Sequence, residues 1–212
     1  MPSRPEFMAL TYLHLAGALG VTALSAEYPL VKSSGIEHLI IFILTIALIF
    51  PLVMLPPGPL KYGLFAAFAI LFGQALAPLV THLQDKGLIR QVLLMVAGIF
   101  VGMTALAFMD RGATFLGFGP YLFAGLLGLI VAQLIGIAAG ITGTITVASF
   151  HEINQIFAWI GAILFTVYVA YDTQVMRARA AKAGASPDYV AASIGLYLDI
   201  INLFTDIGSL NS

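Results

Sequence analysis

The sequence predicts an all-α integral membrane protein, and three observations carry that prediction. Of the 212 residues 60% are hydrophobic and only 9% are charged, against roughly 25% charged in ordinary soluble domains. The few charges cluster in short breaks between long apolar runs, the arrangement that a bilayer imposes. Cysteine is absent, which removes disulfides, thiolate metal sites and cysteine nucleophiles from consideration. The net charge of -1 leaves no electrostatic footprint for nucleic acid, so the lipid bilayer is the expected partner.

A spanning helix needs about 20 mostly apolar residues, because the hydrocarbon core is about 30 Å thick. Charges and breakers therefore delimit a single domain of seven transmembrane helices, at approximately residues 7–28, 37–56, 61–82, 90–109, 117–140, 152–173 and 189–210. The first run, Phe7 to Ala26, carries no charge and exceeds the apolar core of about 7–15 residues in a secretory signal, so it is expected to be retained. Ala23 and Ser25 mark the alternative of cleavage. The second run closes at Pro56-Pro57-Gly58-Pro59, and the third and fourth are free of charge in their interiors. From Gly112 to Phe150 no charge appears, a stretch too long for one helix and too short for two. One helix is placed there, ending in Gly140-Ile-Thr-Gly-Thr-Ile-Thr, whose Gly and Thr read as a helix end and loop. The sixth span is expected to stop at about Asp172, with a loop of about seventeen residues before the seventh.

Seven spans place the termini on opposite sides. Arg4, Lys61, Arg111, Arg177, Arg179 and Lys182 fall on the N-terminal side, against Lys32, Lys86 and Arg90 on the other. That excess predicts a cytoplasmic N-terminus. Only Ile207–Ser212 follow Asp206, so no soluble tail is expected. Gly98-x-x-x-Gly102 and Gly136-x-x-x-Gly140 are spacings that let membrane helices approach closely.

The seventh span is unusual because it holds Asp199 near its centre and Asp206 one turn from its end. A carboxylate at mid-membrane costs about 2.5–3.5 kcal/mol on insertion scales and generally faces protein or a water-filled path. Asn202 shares the helix face of Asp199, and Asp206 continues the stripe. Asp172 closes the sixth span just before Arg177, Arg179 and Lys182, where it reads equally as an interfacial acid balancing those cations. Helices in sequence are commonly neighbours, which brings Asp172 and Asp199 within reach of each other. Two carboxyls in low dielectric share a proton and form a clamp; without it they repel, or present hard oxygen ligands to a cation such as Ca²⁺. His14, Gln74 and Asn154 are polar residues inside spans, read as helix cross-links or as pathway lining, with His14 and Gln74 kept as pathway candidates together with Asn202 and Asp206.

Tyr171-Asp172-Thr173-Gln174, then Asp188-Tyr189, then Leu196-Tyr197-Leu198-Asp199-Ile-Ile-Asn202-Leu-Phe204 together resemble the signature of the transmembrane Bax-inhibitor-motif family. The similarity is strongest over roughly residues 159–205 and extends weakly to Tyr12-Leu-His-Leu-Ala near the start. The resemblance implies seven helices with the C-terminal helix central in the bundle. It further implies a calcium leak channel, regulated by pH through a di-aspartyl sensor carried onto Asp172 and Asp199, with Ca²⁺ as permeant ion and no permanently bound cofactor. Membership also implies a cytoprotective, anti-apoptotic role, apoptosis-regulating membrane proteins as partners, and an endoplasmic reticulum, Golgi or bacterial plasma membrane. An arginine latch found near the second-helix end of some relatives has no counterpart, since only Lys61 lies near that position.

Enzymes are not expected. His151-Glu152 begins like a zinc-protease motif, but the position of the second histidine is Gln155. An intramembrane aspartyl protease requires its second aspartate after Gly-x-Gly, whereas Leu196-Tyr197-Leu198 precedes Asp199. A retinal protein is excluded because the seventh span has no lysine. The functional alternatives to a channel are a proton-coupled transporter of a small solute and a non-conducting regulator of cell-death partners.

Overall fold

The computed structural model describes residues 2–30, 35–144 and 146–211. Lys32, which entered the charge bias, lies outside them. The described residues form seven α-helices: α1 (Arg4–Glu27), α2 (Gly35–Met54), α3 (Pro59–Asp85), α4 (Ile89–Met109), α5 (Gly119–Ile141), α6 (Val147–Lys182) and α7 (Tyr189–Leu210). Six are long and apolar enough to cross a membrane, and α2 adds a shorter apolar stretch, Ile40–Met54. The chain is an integral membrane protein in which most large apolar side chains outside the packing seams, such as Leu94, Ile135 and Ile163, are exposed where lipid would lie. In α7 the pattern inverts: 61% of its apolar window is buried, against at most 44% in any other span.

Two features depart from the expected boundaries. Thr114–Phe118 forms a 3₁₀ turn ahead of α5, entered through Ala113 in the left-handed region at φ 53°. More consequentially, α6 runs to Lys182, so Asp172 lies inside a helix rather than at its end, and residues 183–188 are the whole connection to α7. Arg177 and Arg179 end the apolar run without ending the helix, because Arg is a good helix former.

Packing divides the chain into two compact units, Met1–Asp85 with Val175–Leu198, and Lys86–Gln174 with Asp199–Ser212. In the first, Ser3 caps α1 through a reciprocal bond with Glu6, and Pro5 opens the helix where no N–H is needed. Phe7, Thr11, Leu15, Ala18, Thr22 and Ala26 are buried at spacings of one helical turn, and α1 packs on α3. The approach is closest at Gly73, where a Cβ would stand 2.4 Å from the Thr22 carbonyl oxygen. Polar groups tie the seam: Thr22 Oγ1 donates to Ala69 O at 3.0 Å and Ser25 Oγ to Ile70 O at 2.8 Å. Such bonds stand in for the hydrophobic driving force that lipid removes. Tyr197 of α7, fully buried, closes this core with its phenol 2.7 Å from Thr22 Oγ1 and its ring against Phe65, Phe68 and Phe72.

Candidate functional site

The second unit contains both aspartates singled out by the sequence. Asp172 of α6 is half-buried, while Asp199 of α7 is 3% exposed. Their carboxyls are hydrogen-bonded to each other, and two carboxyls bond in that way only with a proton between them. Asp199 Oδ2 has no hydrogen-bond partner among the described residues. Tyr168, one turn before Asp172, lies close to both acids, and its ring packs against Phe165 and Tyr171 at centroid distances of 5.8 and 6.2 Å. The surroundings of the pair are therefore aromatic and partly buried, conditions under which charge on either acid is felt more strongly by the other than in water.

The neighbours of Asp172 in sequence aim the pair. A Cβ on Gly119 would meet the Tyr171 phenol at 3.0 Å, so the glycine at the start of α5 seats that ring. Thr173 is fully buried. Gln174, 2% exposed, donates Nε2 to Asp110 Oδ2 at 2.8 Å and accepts the Leu116 amide on Oε1 at 3.2 Å. One side chain thus braces the turn between α4 and α5 against α6, one helical step from the acid pair.

A match along nearly the whole chain decides the family. The family model described as inhibitor of apoptosis-promoting Bax1 matches residues 4–210. The chain belongs to the Bax inhibitor family. It is 35% identical over 148 residues to protein lifeguard 4 of Mus musculus, covering 69% of this chain and 55% of that one. To Bax inhibitor 1 of Schizosaccharomyces pombe it is 30% identical over 168 residues, covering 78% of this chain and 58% of the relative. An uncharacterized Helicobacter pylori protein is 29% identical over 95% of this chain and 84% of its own length. This Bax inhibitor family member thus spans little more than half of the two named relatives.

The remaining candidates fall in different places. Asp206 and Asn202 share α7 with Asp199 in the second unit. His14 and Gln74 belong to the first unit. Gln74 is 5% exposed and binds around the end of α1: its Nε2 donates to Ser25 O and Oγ at 2.7 and 2.8 Å, and its Oε1 accepts from the Leu30 amide at 2.7 Å. His14 contacts Leu10 O through Nδ1 at 2.7 Å and lies between the rings of Tyr62 and Tyr189. Lys61, the only cation near the expected latch position, is 1% exposed and bonds Asp188 Oδ2 at 2.6 Å and the Leu55 carbonyl at 2.9 Å. Asp188 Oδ1 in turn accepts the Ala191 amide at 2.9 Å, capping the start of α7. Sequence reasoning missed this lysine–aspartate pairing, and also Gln174 and Tyr168. Asp188 and Gln174 stood inside the family signature, which was the available signal.

Asp110 lies outside the spans, at the end of α4. The Gln174 amide, followed by the Thr114 and Gly112 bonds against the opposing effect of burial, holds its carboxyl below the ordinary value of 3.8. A depressed carboxyl stabilises the fold above its unfolded value and loses that contribution as pH falls through the folded one. Gln174→Leu is expected to bring Asp110 back toward the ordinary range. Hydrogen exchange at Thr114, whose amide bonds Asp110 Oδ2 at 2.7 Å, then loses its protection at a higher pH than in the parent protein.

Proposed function

We propose that this protein is a calcium leak pathway gated by protons at the Asp172–Asp199 pair. The single observation that carries the reading is the hydrogen-bonded pair itself, a carboxyl from each of two consecutive helices with one Asp199 oxygen buried and unpartnered. With its proton the pair clamps α6 to α7. Without it, two carboxylates face each other in low dielectric, repel, and offer oxygen ligands to a hard cation. Acid therefore closes the path and alkali opens it. The relatives named Bax inhibitor 1 and the family description support a role in restraining Bax-promoted cell death, and calcium release is the means proposed for it. The excess of Lys and Arg on the N-terminal side supports a cytoplasmic N-terminus.

The test is calcium flux into dye-loaded liposomes holding the purified protein, measured from about pH 6 to about pH 8 for the parent, Asp172→Asn and Asp199→Asn. The parent is expected to conduct more at the alkaline end. Asparagine keeps a hydrogen bond but cannot lose a proton to become an anion, so either variant is expected to show a flat, low flux. Background flux from the parent at every pH removes the channel. A parent flux whose pH profile survives both substitutions removes the carboxyl gate. Saturable, pH-driven uptake of an organic solute in place of calcium flux would select the transporter.

A further inference from the structure

Asp206 lies two helical turns beyond Asp199 on the same face of α7, about 10 Å along the axis. It is 9% exposed, and its Oδ2 is buried with no hydrogen-bond partner among the described residues. Its carboxyl lies flush against α6 at Gly161: a Cβ there would stand 2.3 Å from Oδ2, 2.8 Å from Cγ and 3.0 Å from Oδ1. Gly161 itself precedes Asp172 by eleven residues, about three turns, which places both on one side of α6. The α6–α7 seam thus carries the acid pair at one level and a second carboxyl, fitted into a glycine notch, at another.

Among the described residues no cation is paired with that carboxyl. Along α6 the nearest ionisable groups are His151 and Glu152 on one side of Gly161 and Tyr168 and Asp172 on the other. The α4 helix, whose Leu94 and Gly98 line a groove with Ile207, has Arg90 near its start and no other ionisable group. On α7 the only other acid is Asp199. No group of three or more His, Cys, Asp or Glu able to hold a metal ion occurs among the described residues. Burying a carboxylate without a partner costs several kcal/mol, and a hard divalent cation such as Ca²⁺ takes about six or more oxygen ligands. A proton is the ligand that one carboxyl can hold alone.

We propose that Asp206 is a second proton-binding site on the α6–α7 seam. The neutral acid fits the Gly161 notch and lets the helices lie together; the carboxylate must leave the notch to reach water, loosening the seam at that level. This inference rests on the gating reading for its consequence, since two protons on one seam steepen the response to pH. It does not need conduction for its test.

Trp159 is the single tryptophan of the chain, within one turn of Gly161 on α6 and lining the same groove as Ile207. Its emission is followed against pH in the purified, reconstituted protein for the parent and for Asp206→Asn, Gly161→Ala, Asp199→Asn and Glu152→Gln. The expected result is a titrating component in the parent that is lost in Asp206→Asn and retained in Asp199→Asn and Glu152→Gln. Gly161→Ala, which fills the notch without removing the acid, is expected to abolish or displace the same component. Infrared spectra are expected to contain a protonated-carboxyl band that Asp206→Asn removes and Asp199→Asn leaves. A parent emission that does not titrate, a titration unchanged by Asp206→Asn, or an infrared band unaffected by it overturns the site. A protein that passes no calcium but shows the Asp206 component loses the channel and keeps this site. One that conducts under Asp172–Asp199 control without that component loses only this site.

Discussion

Gly73→Ala is expected to lower stability by about 1–3 kcal/mol, at the upper end of that range for overpacking. The added methyl would meet the Thr22 carbonyl at 2.4 Å, the Ser25 Cβ at 2.6 Å and the Ala26 amide at 3.0 Å. Two of those atoms are backbone and the third is attached directly to it, so no side-chain rotation relieves the clash. The α1–α3 seam must separate, stretching the Thr22–Ala69 and Ser25–Ile70 bonds that tie it. Gly17→Ala supplies the control, because nothing lies within 4 Å of its added Cβ. There the better helix propensity of alanine is expected to leave stability unchanged or slightly raised. Unfolding in detergent, followed by circular dichroism, distinguishes the two; equal effects at both positions would mean that α1 and α3 do not meet at Gly73.

Asp188→Ala is expected to have the larger effect of any single change near α7, about 3–5 kcal/mol. It strands the Lys61 ammonium, 1% exposed, with only the Leu55 carbonyl among the described residues, and it also removes the α7 cap, worth about 1 kcal/mol. Asp188→Asn separates the two contributions, since asparagine still caps while the charge is gone. The double substitution Lys61→Met with Asp188→Asn is expected to recover most of the loss, because replacing both members of a pair whose lysine is buried is far less costly than orphaning that lysine. A double-mutant cycle measures the coupling. A double variant no more stable than Asp188→Ala alone would show that the lysine, rather than the pair, holds that corner.

The placement of Lys61 shows where the sequence stops being informative. Its position after the Pro56–Pro59 breaker marked it as the only stand-in for a cation latch on the acid pair. The geometry commits it to Asp188 instead, a residue 127 positions away. Nothing in the spacing of either residue announces the other. The extent of α6 was misread for a different reason: hydropathy reports where an apolar run ends, and Arg177 and Arg179 end it while the hydrogen-bonded helix continues to Lys182.

By itself the sequence determined the number and order of the helices, because in a bilayer every backbone polar group must be satisfied internally and ionisable side chains are costly away from the edges. It also determined that Asp199 requires an explanation, since the cost of a mid-span carboxyl is local to its own helix. Family membership was legible in the residues around Asp172 and Asp199 for the same reason. Only the tertiary structure decided that these two carboxyls bond each other, that Gln174 braces the turn beside them, and that Asp206 rests in the Gly161 notch. Each of those depends on the rotation and register of one helix against another, set by the sum of many small packing contacts that no single run of residues encodes.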